Sequence, residues 1–166
     1  MKESVHAAVS YIRANAAGLG APVDFYKTKD IHVHFPEGAV PKDGPSAGVT
    51  VCTAMVSALT GISVRSDVAM TGEISLRGRV LRIGGLREKT MAALRHGIRT
   101  VIIPADNERD LEEIDQTVRR QLNFVSASTV DTVLATALNR PGQGVPPLLA
   151  ELPERKPRGR RPELRQ

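Results

Sequence analysis

Apolar positions along the chain fall into recognisable periods. Val5, Val9, Ile12, Ala16 and Leu19 lie near one face of a helical wheel, which predicts a helix over residues 3–17, ended by Gly18 and Gly20. Ile31-His32-Val33-His34-Phe35 alternates strictly and predicts a strand with three apolar residues on one face and two histidines on the other. Residues 36–45 read as a turn-rich loop. Residues 47–59 are apolar almost all round, the pattern of a helix buried on most sides. Short strands are expected within 67–83, around Gly72 and Gly78. A helix is expected over 85–96, closed by Gly97. A strand over 99–103 should end at Pro104, and Asp106 should cap a helix running to Ile114. A strand over 122–126 and a helix over 130–138 follow. Helices and strands alternate without a regular βαβ rhythm, and the expected class is a compact α+β domain.

Composition sharpens this picture. The chain has 166 residues, 41% hydrophobic and 25% charged, which fits one globular domain. With two Tyr, three Phe and no Trp, its core must be aliphatic. No apolar run reaches the roughly 18–20 residues of a membrane span, and the first ten residues carry no signal-peptide pattern. The single Cys52 excludes an internal disulfide framework and a multi-cysteine zinc site. A reducing, cytosol-like compartment is expected, bacterial cytosol first and mitochondrial matrix as the alternative. The net charge is +5, of which residues 151–166 carry +3. The domain is therefore expected to occupy 1–139. Residues 140–166 should be a disordered Pro/Gly/Arg-rich linker and tail, either simply solvated or in weak contact with nucleic acid or another polyanion. The body has no basic stripe with interleaved aromatics.

Residues 32–48, HVHFPEGAVPKDGPSAG, carry the candidate chemistry. Ser46 follows a Gly-Pro turn and precedes the buried helix. Backbone N–H groups there have no intrahelical partner, and the helix dipole is positive. Such donors can hold the oxyanion of an acyl-transfer intermediate, which makes Gly44, Pro45 and Ala47 the candidate oxyanion turn. On position alone, an ordinary capping serine is the simpler reading. The G-x-S-x-G spacing of 44–48 does not mark an α/β-hydrolase. A loop rather than a strand leads into the serine, and only His96 follows it among the histidines.

A nucleophilic serine needs a base. Lys89 falls at the edge of an apolar helical face made by Leu86, Ala93 and Gly97, near the positive end of its own helix. Partial burial and that helix end both favour the neutral amine that a base must be. A solvated lysine trimming the apolar face fits the periodicity too. Thr71 ends an apolar strand. Its hydroxyl can serve a nearby amine or bond to backbone. Asp43 can orient the loop or make an Asx turn. His32 and His34 share a face but supply two metal ligands at most, so no metal site is expected.

Together these segments resemble the proteolytic domain of Lon proteases. Residues 32–48 resemble the family's nucleophile region. Residues 71–89, TGEISLRGRVLRIGGLREK, resemble its lysine region, and residues 97–114, GIRTVIIPADNERDLEEI, resemble the segment that follows. The resemblance runs from about Met1 to Leu138. It implies that Ser46 is the nucleophile and Lys89 the general base of a Ser-Lys dyad. It also implies that Thr71 orients the lysine amine, that the family's loop aspartate falls on Asp43, and that His32 has a supporting place. Arg87 stands where the family more often has Lys. The implied activity is endopeptidase cleavage of unfolded or regulatory proteins, in a hexameric ring coupled to an AAA+ ATPase that uses ATP and Mg. The ring-forming or polyanion-binding module with little activity of its own is the competing expectation. No G-x-x-x-x-G-K-[ST] phosphate loop occurs in the sequence, so the motor lies outside it, and Met1 is expected to be internal to a longer protein.

Overall fold

The computed structural model describes residues 2–35 and 44–139. Helix α1 (Lys2–Leu19) is followed by the short α2 (Phe25–Thr28). A 3₁₀ turn (Pro45–Ala47) runs directly into α3 (Gly48–Thr60). Three short strands follow: β1 (Val68–Met70), β2 (Glu73–Ile74) and β3 (Val80–Leu81). Then come α4 (Leu86–Arg95), β4 (Thr100–Pro104), a 3₁₀ helix (Ala105–Glu113), α5 (Gln116–Gln121), β5 (Asn123–Ala127) and α6 (Val130–Ala137).

The main sheet has the order β1-β4-β5, parallel throughout, and β2 pairs antiparallel with β3. The mixture is the expected α+β. One feature the apolar pattern did not reveal is that α4 carries the crossover from β1 to β4, and the 3₁₀ helix with α5 carries that from β4 to β5. Parallel neighbours require such connections. The central strand β4 is buried along its whole length and divides two cores. Ile102 faces a cluster with Ile12, Phe25, Val49, Cys52, Val56 and Val133. Val101 and Ile103, one step to either side, face Ile83, Leu86, Ile114, Val118 and Leu122. This is the two-residue alternation of a strand buried on both faces. α3 packs against α1 and α6, so it is covered on most sides as its composition predicts.

Three expectations need correction. Helix α1 runs through Gly18 to Leu19, and it is Gly20, at φ +76°, that follows its end. Residues 31–35 form no strand, and among the described residues they pair with no ladder partner. Ile31 and Val33 are each 38% exposed. Alternation predicts an extended chain, but a strand also needs a neighbour to satisfy its edge. The segment after Pro104 is a 3₁₀ helix without a side-chain cap from Asp106. Its winding, three residues per turn, sets Asn107, Asp110 and Glu113 in one row. Asn107 bonds to Ile83 and Asp110 to Arg82, so contacts across the fold favour the tighter turn. The short α2 and α5 had no sequence expectation. α5 is capped by Asp115, whose carboxylate accepts from Thr117 N at 2.7 Å. The expected tail over 140–166 lies outside the described residues.

Candidate active site

Ser46 sits at the middle of the 3₁₀ turn, one turn before the body of α3. Gly44 has φ +106°, a conformation that L side chains rarely adopt, so the turn into the serine requires glycine there. Pro45 fixes the next φ and has no N–H, so its part is conformational and the donors of the turn are its neighbours. The turn is stitched to residues 71–74. Ser46 O accepts from Gly72 N at 2.9 Å and from Thr71 Oγ1 at 3.3 Å, and Val49 N donates to Gly72 O at 3.1 Å. A Cβ on Gly48 would stand 2.8 Å from Ile74 N, which only glycine avoids. Side-chain-free backbone at 48 and 72 is what lets helix and strand end approach this closely.

Lys89 is the fourth residue of α4, whose N-cap Gly85 has φ +69°. Its side chain is half-buried, and Nζ donates to Gly84 O at 3.0 Å. Ser46 and Lys89 line the same two recesses. One is a charged cleft of about 1010 Å³, walled further by Arg82, Arg87, Glu88, Asp110 and Glu113. The other is a recess of about 440 Å³ with a mainly apolar lining that includes Ala69, Met70, Ala93 and Val101, and Thr71 also borders it. Among the described residues, no hydrogen bond joins the Ser46 hydroxyl to the Lys89 amine.

The structure thus brings together Ser46, Lys89, Thr71, Gly44, Pro45 and Ala47. The buried Thr71 places its hydroxyl on the serine's carbonyl here, rather than on the lysine amine. His32 lies elsewhere. It lines a separate groove with His34, Phe35, Met55 and Leu59 on the side of α3. Asp43 lies outside the described residues. Cys52, on the same helix as the serine turn, offers no competing nucleophile. Its thiol is fully buried, and burial pushes its pKa up to about 12.

Sequence reading missed Asn107, Asp110 and Arg82. Asn107 is fully buried and holds the backbone of Ile83, just before the Gly84 carbonyl that receives Lys89. Arg82 pairs with Asp110 at 2.7 Å over the charged cleft. None belongs to a local motif of recognisable chemistry; Asn107 and Asp110 share the 107–110–113 row of the 3₁₀ helix, and Arg82 joins them only through its pairing with Asp110.

A family model describing the Lon protease (S16) C-terminal proteolytic domain matches residues 1–140. The chain is 56% identical to a Lon protease of Anaeromyxobacter dehalogenans over 154 residues, which covers 93% of this chain and 18% of that protein. It is 53% identical to a Lon protease of Haemophilus influenzae over 158 residues, 95% of this chain and 20% of that one. It is 61% identical to a Lon protease of Azospirillum brasilense over 140 residues, 84% and 17% respectively. The chain spans about a fifth of the length of these relatives.

Proposed function

The chain belongs to the Lon protease family, as its C-terminal proteolytic domain, and on that premise we propose that it is a serine endopeptidase domain in which Ser46 is the nucleophile and Lys89 the general base. The observation that carries the reading is that both side chains line the same two recesses, on elements held in place separately. In the reaction, neutral Lys89, held at the cleft by the Gly84 carbonyl, takes the proton of Ser46 Oγ. The alkoxide attacks the peptide carbonyl. Backbone N–H groups of the 44–47 turn stabilise the oxyanion, an effect worth about 3–4 kcal/mol per donor in other enzymes. The Lys89 ammonium then protonates the departing amine, leaving an ester on Ser46. Water, deprotonated by the same amine, hydrolyses that ester and restores both groups. Thr71 and Gly72 support the nucleophile turn, Asp43 is assigned a supporting place on the resemblance alone, and His32, in its separate groove, takes no part in these steps.

Substrates in this reading are unfolded or regulatory polypeptides, since cleavage needs access to an extended backbone. The proteolytic domain works in a ring of six with an AAA+ ATPase on the same protein, and its setting is the bacterial cytosol, with quality control as the task. ATP and Mg²⁺ serve that ATPase, and no step of peptide hydrolysis passes through them. The bacterial sources of the relatives support this setting. None of the described helices is long and apolar enough to cross a membrane.

The test is intact mass after treatment with a serine-acylating peptide inhibitor. The wild-type chain should gain one adduct, and Ser46→Ala and Lys89→Ala should gain none while keeping the wild-type circular dichroism. An adduct on Ser46→Ala removes Ser46 as nucleophile. One formed at the wild-type rate on Lys89→Ala removes Lys89 as base.

A further inference from the structure

The loop that receives Lys89 cannot hold its own shape. Residues 84 and 85 are both glycine, and Gly85 takes φ +69°. A Gly-Gly pair is the most flexible dipeptide available to a chain. Yet the Gly84 carbonyl sits 3.0 Å from Lys89 Nζ, so something outside the pair fixes it.

Asn107 does so. Its side chain is fully buried against the second core, where an unpaired amide would be costly. Its hydrogen bonds go to both backbone groups of Ile83. Ile83 N donates to Oδ1 at 3.0 Å, and Nδ2 donates to Ile83 O at 2.9 Å. Nδ2 also donates to Asp110, whose other carboxylate oxygen accepts from Arg82 at 2.7 Å. The row from the 3₁₀ helix therefore grips residues 82 and 83 immediately before the two glycines. The Ile83 side chain is buried as well, which pins the same point from the other side.

We propose that Asn107 is a positioning residue for the lysine. It fixes Ile83 so that the Gly84 carbonyl holds the Lys89 amine at the mouth of the cleft it shares with Ser46. The inference rests on the reading of Lys89 as base. It assigns to a side chain remote from the serine turn a part in the rate of acylation rather than in probe binding. Replacement by Ala frees the loop and leaves Ile83 N–H and C=O without their partner. Replacement by Asp keeps an acceptor for Ile83 N–H, but turns a donor into a carboxylate facing Ile83 O and Asp110.

The experiment measures the rate of Ser46 labelling by a peptidyl β-lactone across pH, for the full chain and four variants: Asn107→Ala, Asn107→Asp, Val118→Ala and Lys89→Ala. Val118 is buried in the same core, on α5, but its side chain makes none of the hydrogen bonds that hold residues 82–84, so it serves as the control for lost stability. Both Asn107 variants should lose about tenfold or more in the saturating labelling rate, with half-saturation by the probe unchanged and the pH profile displaced. Val118→Ala, at a comparable fall in melting temperature, should keep the wild-type rate and profile. Wild-type rate and profile in a folded Asn107 variant overturn the inference, as does an equal loss in Val118→Ala. If Asn107→Ala does not fold, Asn107→Asp carries the same comparison. Lys89→Ala labelled at the wild-type rate refutes the base assignment instead. An unlabelled wild-type chain refutes both.

Discussion

The hydroxyl of Thr71 is bonded to the backbone of Ser46, Oγ1 donating to the serine carbonyl at 3.3 Å. The Thr71 side chain thus fixes the main chain of the turn that carries the proposed nucleophile. Replacing Thr71 by Val keeps the shape and removes the donor. The expected outcome is a loss of about 1 kcal/mol in thermal or urea unfolding, with a slower acylation of Ser46. Thr71→Ser should retain both. Equal acylation rates in the Val and Ser variants would show that the hydroxyl has no part in holding the turn.

Two glycines on helices should respond oppositely to alanine. In Gly48→Ala the new Cβ meets Ile74 N at 2.8 Å, so helix α3 must move off residues 72–74. Destabilisation of about 1–3 kcal/mol is expected, together with lost labelling of Ser46. At Gly18, on α1, an added Cβ would meet nothing within 4 Å. Gly18→Ala should raise stability by about 0.5–1 kcal/mol. Chemical denaturation of both variants checks the contrast.

Alkaline pH should unfold the protein through two buried groups. Burial pushes Cys52 from its ordinary 9.0 to about 12. Burial, then the Asp131 carboxylate, push Tyr11 from 10.0 to about 12. A folded-state pKa above the unfolded value means that the stability is complete below pH 9 and drains away as pH rises toward 12. Melting temperature should therefore decline over that interval, and Tyr11→Phe should soften the decline. Iodoacetamide at about pH 8, below the ordinary thiol pKa, should modify Cys52 only in denaturant. Rapid modification of the native chain would contradict its burial.

Acid pH acts through the opposite sign. A hydrogen bond from Arg65 holds Asp67 below the usual carboxylate range, and the backbone N–H of Thr117 does the same for Asp115. Their contribution is present at neutral pH and is lost as pH falls through these lowered values, below the ordinary 3.8. Asp67→Asn and Asp115→Asn should each flatten the acid limb of a melting-temperature profile between about pH 2 and 5. Both groups are exposed, so the effect should be small and should shrink further in high salt.

The helix bearing the serine turn was legible because an apolar run of that length leaves no polar face to misread. Helix α4 was legible from its amphipathic face and the glycine that closes it. Residues 31–35 were misread because alternation reports the faces of an extended chain and not whether another strand lies beside it. The 3₁₀ helix was misread because Asp106 satisfies the local rule for a cap, whereas Asn107 and Asp110 answer to Ile83 and Arg82, more than twenty residues away. Ser46 and Lys89 were identified by resemblance. On position and periodicity alone, a plain capping serine and a surface lysine are the simpler readings. That they line common recesses is a tertiary property, since the turn before α3 and the first turn of α4 border the same space.

Helix α3 is wedged between α1, drawn from the beginning of the chain, and α6, drawn from the last described residues. Tyr11 on α1 reaches Asp131 on α6 at 3.2 Å, across 120 positions. A polypeptide leaving the ribosome N-terminus first therefore exposes the serine segment long before α6 has been made. Until residues 130–137 emerge, α3 lacks one of its two walls and the tyrosine lacks its acceptor. Closure over so long a separation is slow as well as late. Translation itself thus delays the closing of the core around the serine turn.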